Sequence, residues 1–244
     1  MQFDLYIESG PQHKRTWVYV PGLPGCQAFG PTTDEAIENT RDAIRERLEF
    51  LRRHGEKPPD PEPIELHVAD HAIERKLLGF GQLVIASDRE PLTPDEASRQ
   101  LRWAEWSREE LVAAARAQLL PLTESPPTGG RSAAAILWHV AESEWSYASS
   151  TLGTLPGASA TMAAIAGAGN EPWTALAAER ASLMARLQAM SGAELTLLIE
   201  REGKPPRTAR RMLRRMLEHE WEHGLELRAR RQPGRSGLGG KSAG

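Results

Sequence analysis

The chain is 244 residues long, with 30 Lys and Arg against 33 Asp and Glu (formal net charge −3) and 40% hydrophobic residues. This length makes one or two domains, and no apolar run approaches the roughly 18 residues of a membrane span. A single cysteine, Cys26, excludes an internal disulfide and a cysteine-rich zinc site. The opening MQFDLYIESG has acids where an export signal carries bases, so a cytoplasmic location is expected. Phe3, Leu5 and Ile7 alternate with polar or half-polar residues and predict a strand, which Ser9-Gly10-Pro11 breaks. Thr16 to Val20 is a second β-rich run. Pro21-Gly22-Leu23-Pro24-Gly25 is a turn by composition, and Cys26 to Phe29 is a third short strand. Thr32 and Glu35 stand at capping-box spacing ahead of Ala36, Ile37, Ala43, Ile44, Leu48 and Leu51, which repeat at helical period. After a proline-rich break at 58–63, Ile64 to Val68 alternates as a fourth strand.

The first module thus reads strand-strand-strand-helix-strand. Its WVYVPGLPGCQAFGPTTDEAIENTRDAI resembles the core motif of HicB-like antitoxin domains: a strand, the PGLPGC turn, a glycine, then TxxEA opening a helix. The resemblance covers residues 3–70 and implies a small α+β fold that binds a small basic protein toxin. The charge agrees with such a partner. Residues 1–70 hold 8 basic and 13 acidic residues (net −5), while the remainder hold 22 and 20 (net +2). An acidic module is a poor ligand for a phosphate backbone and a suitable one for a basic protein. No ribbon-helix-helix or helix-turn-helix pattern follows, so no nucleic acid is expected as a partner. Cys26 reads as a small buried side chain rather than a nucleophile.

Residues 71–92 form a linker, with His71–Leu78 as a short helix and Gln82–Ile85 as a short strand or extended chain. Thr93-Pro94-Asp95-Glu96 is a second helix start, with an N-cap Thr and Pro at the first position. Four helices are predicted, at about 94–119, 132–150, 170–190 and 208–231, with a Gly/Ala/Ser-rich connection at 153–169 and a disordered tail from residue 232. The fold class is therefore an α+β module at 1–70 followed by an all-α four-helix bundle at 93–231.

On the last helix Met212, Met216, His219, His223 and Leu227 step by 4, 3, 4 and 4 and form one core-facing stripe. His219 and His223 then project inward one turn apart, at about 5–6 Å between Cβ atoms. His139 lies on or beside the apolar stripe of the second helix. Three neutral imidazoles with an open position are a metal arrangement of the catalytic type. Glu142, one turn from His139, and Glu220, beside the pair, are candidates to orient a ligand or act as general base. The arginines at 210–215 lie mostly off the stripe and read as a solvated face. His219-Glu220-Trp221-Glu222-His223 also spells HExxH. Zinc proteases with that spelling need a further ligand downstream, where Glu226 is the sole acid.

ILWHVAESEWSY and RRMLRRMLEHEWEHGLELRAR are similar to segments of the DinB-like metal-binding four-helix bundles. The resemblance spans about residues 94–231. It implies that His139, His219 and His223 hold a divalent metal, with zinc first and nickel or iron suited to the same ligands. It also implies hydrolase or thiol-dependent transferase chemistry, in which the metal activates water or a low-molecular-weight thiol. The partners expected are a small-molecule substrate or thiol at the metal and a protein at the first module, which serves as a binding or homodimerising unit. The alternative is a non-catalytic protein in which both modules are binding scaffolds.

Overall fold

The computed structural model describes residues 1–11, 14–73, 83, 85–202 and 204–230. No described helix is long and apolar enough to cross a membrane. The chain divides into two compact units. The first comprises Met1–Glu90 and Ile199–Pro206, and the second Pro91–Leu198 and the described chain from Arg207.

The first unit is a four-stranded sheet and a helix. The strands are β1 (Gln2–Ser9), β2 (Lys14–Tyr19), β3 (Gln27–Thr32) and β4 (Glu65–Ile73), in the order β3-β2-β1-β4. β1 pairs antiparallel with β2 and parallel with β4, so the chain between them makes a crossover through α1 (Thr33–Arg53). The alternation of Phe3, Leu5 and Ile7 buries all three. Ile7 pairs with Val18, and Tyr6 and Glu8 pair with Tyr19 and Trp17, so the pleat sends these two sets to opposite faces. Trp17 and Tyr19 pack with Leu83 and Ile85, and Phe29 lies 4.2 Å from Trp17 between ring centres.

Two glycines set the entry to α1. Gly25 takes φ +86°, and a Cβ there would lie 2.6 Å from Arg47 Nη2. Arg47 is fully buried, donates from Nε to Pro24 O at 3.1 Å and lies 4.6 Å from the Phe50 ring centre, fastening the turn to the helix. Gly30 lets β3 approach the first turn of α1, where a Cβ would sit 2.3 Å from the Ala36 nitrogen. Thr32 caps that turn by accepting from Glu35 N.

The second unit has four helices of 16–23 residues: α2 (Pro94–Arg116), α3 (Ala133–Leu152), α5 (Trp173–Gln188) and α7 (Ala209–Ala229). Two shorter ones, α4 (Ala158–Gly167) and α6 (Gly192–Leu195), lie between them. α2 opens with the full capping box of Thr93 and Glu96 and with Pro94 in its first turn.

Several expectations are corrected. The 153–169 connection holds α4, because its alanine-rich run favours a helix and buries Ile165. His71–Ile73 continue β4 rather than starting a helix, and residues 74–78 lie outside the described residues. Leu83 and Ile85 are buried against the sheet without joining it, while Gln82 and Val84 lie outside the described residues. Residues 86–89 form a turn of 3-10 helix. Residues 199–206, read within the bundle, instead form β5 (Ile199–Arg201) and β6 (Lys204–Arg207), which pair with each other. The tail from residue 231 also lies outside the described residues.

Gly30→Ala is expected to destabilise the first unit by about 1–3 kcal/mol, because the backbone of α1 must move to admit the methyl group. Hydrogen exchange reads this as lost protection in peptides from β3 and α1 and unchanged protection in α7.

Candidate metal centre

The interior of the second unit is built in layers. One apolar cluster contains Leu101, Trp145, Leu183 and Met212–Leu213–Met216; another contains Leu111, Ile136–Leu137, Leu176 and Leu227. Between them on the four long helices lie Arg108 of α2, Glu144 of α3, Glu179 and Arg180 of α5 and Glu220 of α7, all buried. The order in which each helix passes these layers makes α2 and α7 run one way and α3 and α5 the other.

The five charges are mutually paired. Arg108 donates from Nε to Glu220 at 2.6 Å, from Nη1 to Glu179 at 3.2 Å and from Nη2 to Glu144. Arg180 donates to Glu144 at 3.0 Å and to Glu220 at 3.4 Å, and reaches the more exposed Glu105 at 3.3 Å. Trp145 Nε1 donates to Glu179 at 2.8 Å. Three buried carboxylates share two guanidinium groups, which leaves a proton favoured among the acids. Burial pushes the Glu220 carboxyl up to about 8 against the pull of Arg180 and Arg108, with the Glu144 charge adding to the rise.

On α7 His219 and His223 lie between residues of the two clusters, and on α3 His139 lies among residues of the second. His219 and His223 are buried and His139 is half-buried. Their ring centres lie 4.7 Å (His219–His223), 4.8 Å (His139–His219) and 5.3 Å (His139–His223) apart. Ligand atoms of all three lie within 4.8 Å of one another. The Nε2 atoms of His139 and His219 are 3.2 Å apart, which suits two nitrogens each about 2.0–2.1 Å from one cation. Burial, with the charges of Arg131 and His223, pulls the His139 imidazole down to about 4. Burial, with His223, Arg215 and His139, holds His219 well below the usual imidazole range. Both are therefore neutral at pH 7 and keep a lone pair for a metal.

His223 is oriented through its other nitrogen. Nδ1 lies 2.8 Å from Glu226 Oε2, leaving Nε2 to face the other rings. Burial raises the Glu226 carboxyl, but the hydrogen bond with His223 and the charges of His223 and Arg230 prevail and hold it below the usual range. A carboxylate on the outer nitrogen of an imidazole is the support that metal-binding histidines commonly use. His219 Nδ1 is buried and has no hydrogen-bond partner among the described residues. The donor set of three clustered imidazoles fits a divalent ion.

The structure brings His139, His219 and His223 together but not the two glutamates named with them. Glu142 lies on the exposed face of α3. Glu220 faces Arg108 and Arg180 instead of the imidazoles, because the helix turns it about 100° from His219. The HExxH spelling is thus not a protease site in space. Arg214 and Arg215 are also corrected: both are buried and donate to the buried Glu218, Arg215 at 2.8 Å, rather than forming a solvated face. Glu226 has the supporting role, and its i,i+3 spacing from His223 is the signal that could have found it.

Residues 3–87 match the family model of the HicB-like antitoxin of bacterial toxin-antitoxin systems. The chain belongs to the HicB-like antitoxin family. A UPF0150 protein of Thermoplasma acidophilum is 46% identical over 52 residues, covering 20% of this chain and 75% of that protein. No solved structure matches. The HicB-like match lies in the first unit and ends before His139, so the histidine centre stands on its own geometry.

Arg108→Met is expected to cost about 3–5 kcal/mol, since it strands carboxylates in the interior, whereas Glu220→Gln leaves Glu144 and Glu179 to balance the two arginines. The folded Glu220 carboxyl titrates near 8 and the unfolded one near its ordinary 4.5. The folded state therefore holds the extra proton between these values. That stability is full below the unfolded value and is lost as pH rises through about 8. Urea unfolding with a chelator at pH 6 and pH 9 should show a decline in the wild type that is reduced in Glu220→Gln.

Proposed function

We propose that this protein joins a HicB-like partner-binding unit to a DinB-like four-helix bundle with a divalent-metal centre at His139, His219 and His223. The convergence of three imidazoles from α3 and α7 carries this reading. His139, His219 and His223 would hold the ion, with zinc first, and Glu226 would keep His223 turned toward it. A bound divalent ion supplies Lewis acidity, lowering the pKa of a water or a low-molecular-weight thiol, as hydrolysis or thiol transfer requires.

The remaining contributions belong to the chain. His219 and His223 are buried and His139, half-buried, is the member of the group nearest solvent. Glu220, tied to two arginines, keeps α7 in place and has no proton-transfer part. The family match supports protein binding by the first unit, and its excess of acidic residues favours a basic partner of the toxin class. That match also supports the second reading, an interaction protein without catalysis in which the histidines are packing residues.

Purified without an affinity tag, the wild type should contain about one divalent ion per chain by elemental analysis. His219→Ala should lose it, and Glu226→Gln should bind it about 10- to 100-fold more weakly. A metal-free wild type that takes up no added zinc defeats the enzyme reading and leaves the interaction protein.

A further inference from the structure

The second unit holds a cavity of about 350 Å³ between α2 on one side and the end of α5 with α6 on the other, and its lining includes none of the three histidines. Small-molecule sites have volumes of about 300–1,000 Å³. The floor is apolar. Ala97 and Leu101 of α2, Leu187 of α5 and Leu195 of α6 form it, all four buried members of one cluster. The walls are braced by bonds. Leu92 N donates to Leu195 O at 3.0 Å, which ties α6 to the chain entering α2. Ser191 and Glu194 form a capping box on α6, and Arg186 of α5 pairs with Glu194. Arg210 of α7 pairs at 3.1 Å with Glu96, inside the capping box that starts α2. The hollow is therefore formed before any ligand arrives.

Its wall carries a negative charge. Ala97, Leu101 and Glu105 step by four along one face of α2. The Glu105 side chain is 41% exposed and accepts from Arg180 Nε at 3.3 Å, which joins it to the buried charge network. Four carboxylates, those of Glu105, Glu144, Glu179 and Glu220, thus share the two guanidinium groups of Arg108 and Arg180. Even with one proton held among the acids, negative charge is in excess. Glu105 is the member of this group that solvent reaches. Arg102, the basic residue of the lining, is exposed and already engaged.

We propose that this cavity binds a small primary amine with an aliphatic body, its ammonium paired with Glu105 and its chain lying on Ala97, Leu101, Leu187 and Leu195. An ammonium brings three donors, and a carboxylate that already accepts from one arginine has lone pairs for another. The chain leaves water for an apolar floor. A carboxylic acid of the same length would meet Glu105 as a like charge and gain only the apolar part. The site asks nothing of the histidines and stands whether or not they hold a metal.

The test titrates the full chain, labelled with nitrogen-15, at pH 7 with hexylamine, hexanol and hexanoate, which share a chain and differ in head group. Hexylamine is expected to shift the amide signals of α2, α5 and α6 beside the cavity saturably, and hexanoate to bind about tenfold or more weakly than hexylamine. Glu105→Gln should weaken hexylamine about tenfold and leave hexanol unchanged. The hexanol comparison separates loss of the charge from any loosening of the helices, which would weaken both. Absence of a saturable shift with hexylamine, shifts confined to other elements, hexanoate binding as tightly as hexylamine, or equal hexylamine binding by wild type and Glu105→Gln each overturns the proposal.

Discussion

The second unit depends on the pairing of Arg108 and Arg180 with Glu144, Glu179 and Glu220 between two apolar layers. Ionised groups removed from water are tolerated when each meets opposite charge and hydrogen-bond partners. Every long helix contributes at least one member. A slide of α7 by one turn, about 5.4 Å, would carry Glu220 away from both guanidinium groups. It would also separate His219 from His139. The apolar clusters alone would resist such a slide less, since a leucine or methionine finds other apolar neighbours a turn away. The network therefore keeps the register on which the three imidazoles depend.

Much of this was legible along the chain. Alternation placed β1, the Thr32 and Thr93 caps placed the starts of α1 and α2, and the Met–Met–His–His–Leu stripe brought His219 and His223 inside. The proline-glycine turn and the helix start after it carried the family likeness that the match over residues 3–87 supports. What escaped was the identity of neighbours. A helical wheel gives the direction of a side chain but not what three other helices place there. Glu220 therefore reads as a ligand-orienting group or general base and Arg215 as a surface charge, although their partners lie on other helices or one turn ahead. Spacing one turn from His139 singles out Glu142 and passes over Glu144, two residues further on. The structure buries Glu144 and leaves Glu142 in solvent, because only Glu144 faces the two arginines.

The two units differ in how their roles are supported. The first has a family, and with it an expectation of a protein partner. The second has a geometry of converging imidazoles, one of them braced by Glu226. The metal chemistry proposed for the second unit draws nothing from the first, since all its residues fall within α3 and α7.

The division of the chain also bears on how the protein can be cut apart. Residues 199–206 leave the helical unit, group with the sheet unit and return at Arg207 to begin α7. The polypeptide therefore passes between the units three times, and neither is a continuous stretch. A fragment ending at residue 90 lacks a segment of its own unit, while one beginning at residue 91 carries that segment without its companions. The two histidines of α7 come after the last passage, so they are the final ligands to emerge during synthesis.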